Sequence, residues 1–210
     1  MIEKIFSGDY LKRLDNIIQW SEKDVFTRES VSQHSYKVTI FCRVMLQEIF
    51  GDLTMCNDNV KLFTLKCVDH AMFHDWDEVL LLRDISHETK YNEFNGEEIR
   101  KALDSLSEFL AKKEFNIDTV GGQFVYDALN TTDSKVLIFC KVCDWMALAF
   151  FIKREQSRGN TNLSAQYATV RNGLIKSVDK CKSMLLTAFL GYEPNVSVFD
   201  EIVESIYGKD

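Results

Sequence analysis

Backbone breakers are almost missing from this chain, and that limits its fold more than any other feature. The 210 residues include one proline, Pro194, and nine glycines. Those two residue types end helices and make tight turns more strongly than any others, so long helices with few turns are predicted. The apolar residues agree. Ile5, Tyr10, Leu11, Leu14, Ile17 and Ile18 recur at helical spacing, predicting a first helix over 2–20. A second runs from about Ser30 to Phe50 and stops at Gly51, with Val38, Phe41, Met45 and Ile49 as its stripe. Asn57-Asp58 caps a third, from about Asn59 through Leu62, Phe63, Leu65 and Val68 to His74.

A short turn of helix over 76–82 and a polar loop over 83–92 follow. The next helix starts at Asn95-Gly96 and buries Ile99, Leu103, Leu106 and Leu110. Residues 112–123 read as a connection and 124–129 as a short helix. Thr132 or Asp133 caps a long helix to about Arg158, with the stripe Leu137, Cys140, Asp144, Ala147 and Phe151. A further long helix carries Tyr167 to Leu185, and a terminal one spans about 197–207. No strand pattern exceeds a few residues. The expected fold is all-α, a single compact helical bundle over 1–210 with its core in about 1–190.

Charge and cysteine usage narrow the function. A net charge of −7 and a pI near 5.2 do not suit a protein that coats a nucleic-acid polymer. No stretch approaches the ~18 apolar residues of a membrane span. The N-terminus Met-Ile-Glu-Lys-Ile-Phe-Ser lacks the apolar core of a secretion signal, so a cytoplasmic protein is expected. Most of the six cysteines fall on apolar helical positions. Cys140-Lys141-Val142-Cys143 therefore reads as core, not as a redox or zinc motif.

Four polar features stand out against this frame. His74 and Asp75 are adjacent, and an imidazole beside a carboxylate can bind one divalent ion. Adjacent side chains on a helix diverge by about 100°, so such an ion would sit near the helix end. Glu78 lies one turn beyond His74, placed to exchange protons with a water or a leaving group. His34 falls on the stripe of the second helix and faces inward, as a ligand or as a hydrogen-bonded core histidine. Asp144 interrupts an apolar face, where an uncompensated carboxylate costs several kcal/mol. It must meet a metal or a basic side chain, or cap a helix end in the core. Two imidazoles and two carboxylates would suit Mn, Co, Ni, Fe or Zn better than calcium. Such an ion acidifies water and neutralises phosphate charge, the chemistry of phosphoester hydrolysis.

The order and spacing of these residues resemble the HD-domain phosphohydrolases, and within them the small 5'-deoxynucleotidase group with its phage-encoded deoxynucleoside triphosphohydrolase relatives. The resemblance runs to about residue 190. It rests on Trp20, Glu29-Ser30-Val31-Ser32-Gln33-His34-Ser35, Phe73-His74-Asp75 with Glu78, Asp84-Ile85 with Lys90-Tyr91, and Lys141 to Leu148 around Asp144.

It implies an HD-domain bundle holding one divalent metal ion (Mn, Co, Zn, Ni, Fe or Mg) through His34, His74, Asp75 and Asp144. Glu78 would be the catalytic carboxylate and Asp84 an acidic residue near the sugar and the scissile phosphate. Trp20, Lys90 and the Gln19 position would meet substrate, and a homodimer is implied.

Three positions depart from the family pattern. Gln19 stands where the family often has a phosphate-holding arginine, Gln33 replaces a glutamate, and 85–89 lacks the usual prolines. All three fall where substrate is recognised. Arg13, Lys23, Arg28 and Arg83 are alternative phosphate clamps, and His70 and His87 are histidines near the site. A deoxynucleoside monophosphate, a deoxynucleoside triphosphate such as dATP, or non-catalytic nucleotide or metal binding are the three functions to separate.

Overall fold

A computed structural model describes residues 9–21, 23–76, 78, 96–114, 117–189 and 191–208. Among them are eight helices: α1 (Asp9–Asn16), α2 (Val31–Phe50), α3 (Asp58–Phe73), α4 (Gly96–Glu114), α5 (Val120–Leu129), α6 (Ser134–Ser157), α7 (Ser164–Ala188) and α8 (Val198–Tyr207). The one extended feature among the described residues is an isolated antiparallel bridge between Ile18 and Ser30. The all-α expectation holds.

The chain divides into two compact units, Met1–Ser35 with Phe73–Thr131, and Tyr36–Met72 with Thr132–Asp210. In the first, Leu14, Ile17, Val31, Phe73, Trp76, Val125 and Ala128 form the core, and α4 packs along α5. Phe73 and Trp76 meet edge to face with ring centroids 4.4 Å apart. Burying each ring contributes about 2–3 kcal/mol, which anchors the segment between them.

In the second unit α7 and α8 pack against α6. Phe63 stacks edge-on against Phe50 and Phe139, and Phe189 meets both Phe50 and Phe63. Cys42, Cys67, Cys140, Cys143 and Cys181 are free and buried in this unit. The C-x-x-C is core, as expected.

Several boundaries differ from the sequence expectation, each for a local reason. The helix expected over 2–20 is described from Asp9 and ends at Asn16. Beyond it the backbone turns to pair with 29–31: Gln19 N–H donates to Glu29 O at 2.8 Å and Val31 N–H to Ile17 O at 2.9 Å. The β-branched pair Ile17-Ile18 suits that extended path better than a helix.

The connection expected over 112–123 is shorter. α4 continues to Glu114, and Thr119 caps α5, its hydroxyl accepting from Gly122 N–H at 3.1 Å. On α3 the buried face is Val60, Phe63, Cys67 and Ala71, whereas Leu62 and Leu65 are exposed. On α6 the first stripe residue, Leu137, is exposed. Beyond it Phe139, Val142, Cys143, Trp145, Met146, Ala149 and Ile152 are buried along with Cys140, Ala147 and Phe151. A helix covered on nearly all sides cannot be read from one stripe. The turn and loop expected over 79–92 lie outside the described residues.

Candidate metal centre

α2 starts on a reciprocal cap. Gln33 N–H donates to Ser30 Oγ at 3.3 Å, and Ser30 N–H donates to Gln33 Oε1 at 3.1 Å. This Ser-x-x-Gln arrangement satisfies two orphan donors of the helix start. Glutamate and glutamine both serve at its fourth position, so Gln33 caps α2 where the family pattern has a glutamate. The cap sets the first turn of α2, from which His34 projects and is buried.

His74 follows the last residue of α3. The chain then turns, with Trp76 N–H donating to Phe73 O at 3.0 Å and Glu78 N–H to Asp75 O at 3.1 Å. The pair His74-Asp75 thus stands at a helix end between two buried aromatic anchors. Adjacent side chains can converge there, as the sequence required.

They do converge. Asp75 Oδ2 lies 3.0 Å from His74 Nε2 and 4.0 Å from His34 Nε2. The two imidazole centroids are 5.6 Å apart, tilted by 51°. Neighbouring ligands around an ion with bonds of ~2.1 Å lie about 3–3.4 Å apart, so the His74–Asp75 spacing is already that of a ligand pair. On the far edge of the His34 ring, Nδ1 lies 3.7 Å from Glu29 Oε1.

Glu29, Asp75 and Glu78 are all buried, Glu78 to 1% exposure. His34, His74 and Asp75 bring nitrogen and oxygen donors together, and such a set suits a transition metal. The donor set of this unit fits a metal ion.

Asp144 belongs to the second unit, on α6. Its Oδ2 accepts from Lys141 Nζ at 2.7 Å, and the same ammonium lies 4.8 Å from the centroid of the Trp145 ring. A cation therefore meets Asp144, one of the outcomes its place on an apolar face demanded.

The remaining sequence candidates separate. Gln19 is buried, with its backbone held by Glu29. Trp20 is partly buried and adopts φ +60°, the one non-glycine residue with positive φ among those described. A bulky side chain in the left-handed region costs about 1–3 kcal/mol, a strain that clusters at functional sites. The sequence did not foretell that strain; without a glycine nothing marks a left-handed turn. Glu29 was missed as a partner of His34, although it stands five residues before it. Arg13 and Arg28 are exposed, Lys23 is partly buried, and His70 is partly buried on α3. Arg83, Asp84, His87 and Lys90 lie outside the described residues.

The family model for YfbR-like 5'-deoxynucleotidases matches residues 8–192. An HD-domain phosphohydrolase from Listeria innocua shares the fold, with a TM-score of 0.62 and 17% sequence identity over 99% of this chain and 98% of that one. No curated protein matches the sequence.

Proposed function

The chain belongs to the YfbR-like 5'-deoxynucleotidase family, and on that premise we propose that this metal-dependent phosphohydrolase converts deoxynucleoside 5'-monophosphates to deoxynucleosides and phosphate. The observation that carries the reading is Glu78, buried to 1% one turn beyond the His74-Asp75 pair. A purely structural metal site has no use for that extra acid.

In this reading His34, His74, Asp75 and Asp144 hold one divalent ion. When bound, the ion supplies acidified water and positive charge against the phosphate. Glu78 takes the proton of the attacking water or delivers one to the departing 5' oxygen. Asp84 stands beside the sugar and the scissile phosphate. Trp20 offers a ring to the base or sugar, and Gln19 and Lys90 meet the polar parts of the substrate. The strained backbone at Trp20 supports a functional role for that ring. Lys141 holds the Asp144 carboxylate in place through a charge-assisted bond.

Gln19, in place of an arginine, is the observation that favours a second reading, a deoxynucleoside triphosphate substrate with a rebuilt phosphate clamp. The protein acts in the cytoplasm, on small molecules and not on nucleic-acid polymers. Six free buried cysteines fit a reducing compartment. None of the described helices is long and apolar enough to cross a membrane. A homodimer is supported by Tyr36, Ile40 and Val44, exposed at four-residue spacing along α2.

Glu78→Gln tests the reading. Phosphate release from deoxynucleoside monophosphates should fall by about 10²–10⁴-fold while bound metal, measured by elemental analysis, stays at the level of the unmutated protein. Turnover that survives the substitution would remove Glu78 from the chemistry. An unmutated protein that binds nucleotide without turnover would make it a sensor.

A further inference from the structure

Tyr36, Ile40 and Val44 stand on the outer face of α2, exposed to 68%, 43% and 51%. Side chains four residues apart lie one above another on a helix, so these three form a continuous apolar ridge. Phe150 of α6 widens it. Its ring is exposed to 39% and stacks on Phe41 at a centroid distance of 5.5 Å. All five residues belong to the second unit. Charge lies at the margins of the ridge. Lys37 stands near its N-terminal end and Glu48 near its C-terminal end. At about 100° per residue, Lys37, Val44 and Glu48 fall on the same side of Ile40. On the other side is Arg43, whose Nη1 donates to Gln47 Oε1 at 3.2 Å and so points along its own helix.

We propose that this ridge pairs with itself, α2 packing antiparallel against α2 of a second copy about a two-fold axis at the level of Cys42. The inference rests on the homodimer of the reading above and specifies its interface. In a two-fold contact the same patch serves both copies. An antiparallel pairing at that level sets Ile40 opposite the partner's Val44, and Val44 opposite the partner's Ile40. It brings the Phe41–Phe150 stacks of the two copies towards each other beside the axis. It also sets Lys37 opposite the partner's Glu48, twice, so that the rim closes on opposite charges. The two Arg43 side chains, each drawn towards its own Gln47, diverge from the axis and from each other. A parallel pairing would instead face Lys37 with Lys37 and Glu48 with Glu48. Removing the ridge from water supplies the attraction, whereas rim charges add little energy but fix orientation and register.

The test uses the full chain, with its mass read by light scattering during size-exclusion chromatography. The unmutated protein should run as a dimer. Ile40→Glu, which sets a carboxylate on the ridge, should run as a monomer with its helix content unchanged by circular dichroism. Lys37→Glu should weaken the dimer, and adding Glu48→Lys to it should restore the association. Cross-linking reads the orientation. Chains carrying Ile40→Cys, mixed with chains carrying Val44→Cys and oxidised by an added small disulfide, should give more covalent dimer than either variant alone. A dimer that withstands Ile40→Glu, or Ile40→Cys chains that cross-link to themselves more than to Val44→Cys chains, would overturn the interface and leave the homodimer standing. An unmutated chain that is monomeric at every concentration would overturn both. Should Ile40→Glu fail to fold, the cross-linking pair decides.

Discussion

Among single residues, Cys42, Cys67 and Cys181 show what burial does to a titrating group. Loss of water raises each thiol pKa above its ordinary 9.0, and neighbouring thiols raise it further. The folded state therefore favours the protonated thiol. That contribution to stability is complete below pH 9 and is lost as the pH climbs above it. The melting temperature should fall as pH rises from 9, and Cys181→Ala should flatten the fall. An unchanged slope in that variant would show that Cys181 takes no part.

Legibility at this scale was high for residues that break a pattern. His34 lay on an apolar stripe and is buried, and Asp144 on an apolar stripe has a cation beside it. Glu29 was invisible because it sits in a loop, where no periodicity marks a residue as inward.

Among elements, the α6–α7 contact is set by a glycine. At Gly173 an added Cβ would lie 2.6 and 2.7 Å from the Cζ2 and Cε2 atoms of Trp145. Alanine is favoured over glycine in a helix by about 1 kcal/mol, whereas overpacking a core costs about 1–3 kcal/mol. The tryptophan ring is rigid and buried, so packing wins. Gly173→Ala should lower stability by about 1–2 kcal/mol in chemical denaturation, and a stabilised variant would mean that the ring yields.

The scarcity of breakers rightly foretold long helices, and Asn57 does cap α3. Ends were misjudged where tertiary hydrogen bonds competed with local preference. Ile17 to Gln19 leave the helix because 29–31 offers them backbone partners. Thr119 starts α5 ahead of two glycines that look like loop. Leu62 and Leu65 face outward on α3, since periodicity locates a stripe but not which of two stripes is covered.

For the whole molecule, the order of His34, His74-Asp75 and Asp144 together with the motifs around Trp20, 29–35, Asp84 and Lys90 pointed to the family, and the match over 8–192 agrees. Four residues scattered over 111 positions become informative only in that order. Substrate choice was less legible because Asp84 and Lys90 fall in a stretch whose sequence reads as a loop, and loops carry no periodic signal.

The most direct measurement is orthophosphate release by the unmutated protein from a panel of deoxy- and ribonucleoside mono- and triphosphates, with Mn²⁺, Co²⁺, Mg²⁺ or Zn²⁺ supplied in turn. Orthophosphate should appear from deoxynucleoside monophosphates, only with a metal present, and should stop when a chelator is added. Products from triphosphates alone, or no product from any nucleotide with any of the metals, would contradict the proposed activity.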